Sequence, residues 1–164
     1  MSSGLPPLPI DARLVFPNLA ARTLDEVLLE MATSLAAAGV VRDPIELAER
    51  LRRREKEGCT GIGKEGVAFP HCRMQGLSDV LVAVGLSRSG IDFGTPDGKP
   101  IRVVFLLLSP WDAPAQHLQV LARLARLSAR TPGLPDRLLL AGSPEAIART
   151  VREAEAGASA AATA

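Results

Sequence analysis

The sequence predicts an α/β fold, and three observations carry that reading. Two strand-length apolar runs, VLVAVGL at 80–86 and IRVVFLLLS at 101–109, are separated by FGTPDGKP, a stretch dense in turn residues. Segments with helical apolar spacing and clear start signals lie on both sides of this pair. Helices interleaved with strands belong to layered α/β architectures. At 164 residues the chain has the length of one domain with a sizeable core.

The elements follow in order. Residues 1–10, MSSGLPPLPI, open on Ser-Ser-Gly and hold Pro6, Pro7 and Pro9, and are expected to form a flexible arm ahead of a domain over 11–156. Thr23 opens a capping box, TLDE, in which Thr23 and Glu26 satisfy each other's free backbone donors. Leu24, Val27, Leu28, Met31 and Leu35 then repeat at helical spacing, and Gly39 offers a stop. A second helix starts with Asp43 as cap and Pro44 at the first helical position, and runs through RRREKE to Gly58. Of the two strands, the second is apolar without alternation from Val103 to Leu108, which suits a central strand covered on both faces. A helix from Pro114 to Arg130 comes next, followed by a TPGLP break. The last helix starts at SPEA with Ser143 as cap. Residues 157–164, GASAAATA, have no apolar anchor and are expected to be a disordered tail.

Composition narrows the function classes. A formal net charge of +1, one tryptophan and four phenylalanines give neither an electrostatic pull toward nucleic acid nor a platform for base stacking. The N-terminus lacks a basic start and a long apolar core, and no run reaches the roughly 18 apolar residues of a membrane span. Two cysteines do not make a disulfide scaffold. A protein of the cytoplasm, without membrane insertion and without nucleic acid as partner, is the expectation.

The stretch GCTGIGKEGVAFPH, residues 58–71, nearly spells a nucleotide-binding P-loop. That motif requires Ser or Thr after Gly-Lys to hold Mg²⁺, whereas Glu65 stands there and would face the phosphates. The loop also follows a charged helix rather than a buried strand. Its glycines instead permit positive φ angles or close backbone packing.

Two histidines are then the candidates for chemistry. His71 follows Pro70, so the chain before it is extended and the ring sits at a strand end or loop. His117 shares a helix face with Val120, Leu121, Leu124 and Leu127, in the first turn near the positive end of the dipole. That position disfavours imidazolium. Position alone leaves open a plain role for each, His117 at the core edge and His71 in a surface loop. Two histidines and two scattered cysteines lack zinc-ligand spacing, so no metal is expected. His117 is within conceivable reach of Cys72, but that cysteine lacks a third orienting group and reads as packing.

Taken as an ordered set, these pieces resemble one known family. RREKEGCTGIGKEGVAFPHCR (53–73) is similar to the active-site segment of phosphotransferase-system enzyme IIA domains of the fructose/mannitol type, including the nitrogen-regulatory branch. The matching parts are Arg54–Glu55, the turn Thr60–Gly63, the stretch Gly66–His71, and Arg73. Downstream, PDGKPIRVVFLLLSP (96–110) and QHLQVLARLARL (116–127) resemble the family's Asp-Gly turn with its central strand and its His-Leu helix. The departures are Phe69 for an aliphatic residue, Cys59 for a common serine, and Glu65 as an extra charge in the glycine turn.

The resemblance implies a single-domain sandwich, a mixed sheet flanked by helices, with the histidine pocket at one edge. It implies that His71 accepts phosphate from the phosphohistidine carrier HPr or a paralogue. His117 would stabilise the phosphoryl group and Arg54 would contact it, while Thr60, Gly61 and Gly63 are possible pocket residues. A neutral imidazole has a lone pair for in-line attack, and a second imidazole, a guanidinium and backbone N–H groups suit the charge on the equatorial oxygens. With a phosphohistidine as donor, the implied chemistry uses no cofactor. Regulation of target proteins is favoured over transport, because no carrier, IIB or membrane segment is fused to this chain. Transfer to a cysteine of an enzyme IIB partner for sugar uptake is the alternative, and a binding module without phosphate flow is the other. The phosphorylated ring nitrogen stays open at this stage.

Overall fold

The computed structural model describes residues 5–162. Its elements are β1 (Ile10–Phe16), α1 (Leu24–Ala37), α2 (Pro44–Glu57), β2 (Gly61–Ile62), β3 (Val67–Ala68), β4 (His71–Met74), β5 (Leu81–Ile91), β6 (Ile101–Pro110), α3 (Pro114–Arg130), α4 (Leu134–Ala141) and α5 (Pro144–Ala162). A 3₁₀ turn over Gly63–Glu65 joins β2 to β3. The six described strands form one sheet in the order β1-β5-β6-β3-β2, with β4 also paired to β6. β5 and β6 are antiparallel, while β1 runs parallel to β5 and both β3 and β4 run parallel to β6. The sheet is therefore mixed, and helices cover both faces.

β6 explains the layering. All six residues from Val103 to Leu108 are fully buried. Strand alternation sends Val103, Phe105 and Leu107 into the core beneath α3, α4 and α5. It sends Val104, Leu106 and Leu108 into the other core, beneath α1 and α2. An uninterrupted apolar run is what two cores demand of a central strand.

The helices start where their chemistry dictates. Thr23 and Glu26 make the reciprocal capping box, and the Asp43 carboxylate accepts from the Ile45 and Glu46 N–H groups ahead of Pro44. Other features were not anticipated. β1 departs from period-two alternation because its pairing with β5 shifts register between Ile10 and Val15. β5 continues past residue 86 to Ile91 through a bulge, where Gly90 takes φ +84 and exposed Arg88 and Ser89 dilute the apolar signal. The TPGLP segment is the start of α4: Gly133 caps it at φ +76 and Pro135 sits in its first turn.

The two expected loose ends are corrected within the described residues. Leu8 is buried, its N–H donates to Glu155, and Arg123 donates to the Pro6 carbonyl, so residues 6–8 are held against the α3/α5 layer. α5 extends to Ala162, with Ala158 buried and its carbonyl accepting from Arg130. Residues 1–4 and 163–164 lie outside the described part.

Leu106→Ala should cost about 2–5 kcal/mol, whereas Leu140→Ala, at 85% exposure, should stay within about 0.5 kcal/mol. Urea unfolding of the two variants against the parent chain checks this contrast.

Candidate active site

β3 and β4 lie end to end along the same side of β6: Val67 and Ala68 face Val103 and Val104, and His71 faces Leu107. Between them Pro70 has no N–H to give, and its carbonyl accepts the Leu107 N–H at 2.9 Å. The chain thus breaks and restarts at His71, the first residue of β4. β4 pairs only with β6, so its other side is a sheet edge.

His71 is 8% exposed, and its ring nitrogens have unlike partners. Nδ1 lies 2.8 Å from the Phe69 carbonyl oxygen, which can only accept. Nε2 lies 3.2 Å from Arg54 Nε–H, which can only donate. The two partners together require Nδ1–H and a bare lone pair on Nε2. Arg54 stands on the last turn of α2 and also donates to the Gly58 carbonyl at 3.4 Å, which holds its guanidinium across the edge.

His117 enters from the first turn of α3. Its ring centroid is 5.3 Å from that of His71, with the planes tilted by 58°. His117 Nδ1 and the fully buried Ser109 Oγ are 2.8 Å apart. Burial, His71, Arg73 and Arg54 together push the His117 pKa down to about 4. Burial also lowers that of His71; the Phe69 carbonyl opposes this, Arg54 adds to it, and Glu55 opposes it. Both rings are therefore neutral near pH 7.

Of the residues singled out in the sequence, His71, His117 and Arg54 converge. Thr60 stands one step behind: its hydroxyl donates to Glu55 and accepts from the Phe69 N–H at 3.3 Å. Gly61 and Gly63 serve close packing in the glycine turn. A Cβ on Gly61 would come within 2.9 Å of Phe93 and Thr95, and one on Gly63 would collide with Asp97 at 1.9 Å. Glu65 turns inward and accepts from Ser128 of α3 at 2.6 Å. The arginines of RRR diverge, since Arg52 pairs with Asp25 of α1 at 2.8 Å while Arg54 reaches the site. Arg73 lies over the exposed Trp111 ring, 4.9 Å from its centroid, and donates to the Trp111 carbonyl.

Cys72 packs toward the α1/α2 core, on the opposite side of β4 from His71, and burial pushes its thiol up to about 11. That is the reverse of what a thiolate nucleophile needs. Sequence reasoning missed Ser109 and gave Glu55 no role. Ser109 was readable from strand parity, as the one polar residue closing the Val103, Phe105, Leu107 face beneath α3.

Comparison with known proteins places the chain. The family model for the phosphoenolpyruvate-dependent sugar phosphotransferase system, EIIA 2, matches residues 9–154. The chain is 34% identical over 140 residues to a nitrogen regulatory protein of Pseudomonas aeruginosa, covering 85% of this chain and 90% of that one. It is 35% identical over 130 residues to a fructose-specific EIIABC component of Bacillus subtilis; the match takes in 79% of this chain but only 20% of that longer protein. Among solved structures, the nitrogen regulatory protein IIA-Ntr of Neisseria meningitidis superposes with a TM-score of 0.74 at 26% identity, covering 87% of this chain and 96% of that one.

In a ¹⁵N NMR titration, His117 should show a midpoint near 4 and His71 one below 6.5, with Nδ1 of His71 protonated in its neutral form. A His117 midpoint at 6.5 or above would contradict the burial and the arginine field given for it.

Proposed function

This chain belongs to the EIIA 2 family of the phosphoenolpyruvate-dependent sugar phosphotransferase system, and as a phosphotransfer component of that system we propose that it carries the phosphoryl group on Nε2 of His71. The observation that carries the choice of atom is the pairing of Nδ1 with a carbonyl and of Nε2 with a donor. Only Nε2 offers electrons.

In the proposed step, Nε2 attacks phosphorus on a histidine-phosphorylated carrier of the HPr class. The donor's N–P bond breaks and its electron pair returns to the donor ring. His71 keeps its Nδ1–H throughout, so no proton leaves the site. Arg54, which covers the Nε2 lone pair beforehand, turns its donors to the phosphoryl oxygens. His117 supplies a neutral donor in the tautomer in which the Ser109 hydroxyl donates to Nδ1, which leaves Nε2–H to face the transferred group. A neutral ring suits this role, since a low pKa keeps it from competing as a cation at working pH.

The onward role we favour is regulation, in which partner proteins are bound according to the phosphorylation of His71. The match to a nitrogen regulatory protein across 90% of its length supports this reading. Transfer to a cysteine of an enzyme IIB partner is the second reading, supported by the match to a fructose-specific component.

Incubation with phosphoenolpyruvate, enzyme I and the histidine carrier should add one acid-labile phosphate by intact mass. His71→Ala should take none, and His117→Ala and Arg54→Ala should accept it about 10²-fold more slowly. An unphosphorylated parent chain with a working control, or a phosphorylated His71→Ala, would overturn the assignment.

A further inference from the structure

Glu55 is the one carboxylate whose charge acts on His71 among the described residues, and it is only 8% exposed. The donors to its carboxylate are both neutral and both on Thr60: Oε2 accepts the Thr60 N–H at 2.9 Å, and Oε1 accepts the Thr60 hydroxyl. No cation forms a salt bridge with it among the described residues, although Arg54 is its sequence neighbour. A buried carboxylate held by neutral donors is costly to keep, and a glutamine could satisfy part of the same hydrogen bonding without the charge. The charge therefore calls for a use at this position.

Resting on the phosphocarrier reading above, we propose that Glu55 is the positioning residue of the phosphorylated histidine, fixing its ring through Thr60 and Phe69 and opposing the positive charge that phosphorylation places on it. The fixing runs through three bonds. Because the Thr60 hydroxyl proton goes to Glu55, Thr60 Oγ faces the Phe69 N–H only as an acceptor. The Phe69 backbone is pinned by that bond, and the Phe69 carbonyl then holds Nδ1–H of His71.

The charge term follows from the bond count. When Nε2 forms its bond to phosphorus and Nδ1–H stays, the His71 ring becomes a phosphoimidazolium with a formal positive charge. Arg54 of α2 and Arg73 of β4 contribute positive charge to the pocket, and neutral His117 of α3 adds none. These arginines favour the phosphoryl oxygens but oppose the charged ring. Glu55 supplies the opposite sign and is linked to the ring through its Nδ1 side.

The test uses Glu55→Gln, Thr60→Val and Thr60→Ser in the full chain. ¹⁵N NMR of unphosphorylated His71, which needs no carrier, is the first readout; the rate of carrier-driven phosphorylation is the second. Glu55→Gln should lower the His71 midpoint and slow phosphorylation about tenfold through kcat, with KM for the carrier unchanged. Thr60→Val should raise the fraction of the Nε2–H tautomer and slow transfer, and Thr60→Ser should restore both. Folded Glu55→Gln and Thr60→Val proteins with the parent midpoint, tautomer and rate would overturn the proposal. If Glu55→Gln does not fold, the Thr60→Val and Thr60→Ser pair decides by the same readouts. NMR shifts as expected in a chain that takes no phosphate would leave the positioning intact and remove the carrier reading instead.

Discussion

The break at Phe69–Pro70 is the constraint from which the site follows. A continuous strand beside β6 would aim alternate carbonyls at β6 and alternate side chains into the two cores. Pro70 faces β6 with a carbonyl that takes the Leu107 N–H but has no N–H to give in return, so the ladder is interrupted there. The Phe69 N–H and carbonyl face the other flank, where the N–H goes to Thr60 Oγ and the carbonyl is taken by the imidazole two residues on. One backbone acceptor fixes the tautomer and the ring plane of His71. Arg54, whose donor lies on Nε2, requires the same tautomer from the other side of the ring.

Electrostatics around that ring follow the same economy. Two histidines with centroids 5.3 Å apart and arginines on both sides would repel each other if charged. Burial and the arginine field keep both neutral near pH 7, so the pocket presents two neutral imidazoles together with a cationic arm. Such a pocket has little charge balance until a dianionic group arrives. The arginine held against the nucleophile's own lone pair illustrates this: its best partner in the resting chain is a neutral nitrogen.

Much of this was legible in the sequence, for identifiable reasons. The unbroken apolar run of β6, the TLDE box and the Asp43–Pro44 start are local statements, and the structure reproduces them because no tertiary contact competes. The convergence of His71, His117 and Arg54 came from family resemblance, since residues 17 and 46 positions apart along the chain carry no local sign of meeting. The resemblance could not choose between the ring nitrogens, because that choice rests on two hydrogen bonds of one residue. β1, the end of β5 and α4 escaped notice where bulges, a register shift and a glycine cap break the periodicity that pattern reading relies on. Ser109 and Glu55 were hidden differently: each is polar and buried, Ser109 behind His117 and Glu55 behind Thr60, so only packing reveals their contacts.

The sheet edge accounts for why these three side chains meet where they do. α2 belongs to the layer on one face of the sheet and α3 to the layer on the other. Over a central strand, side chains from these two helices would be separated by the sheet and by a core on each side. At β4, which has a neighbour on one flank only, Arg54 can pass around the open side while His117 comes down from the first turn of α3. The fold thus brings Arg54 and the two imidazoles together without opening either core. The glycine turn at 61–66 contributes from behind, packing against Phe93, Thr95 and Asp97 and setting the path that leads to Phe69. Its resemblance to a phosphate cradle is a likeness of composition, while its glycines let neighbouring side chains pack directly against its backbone.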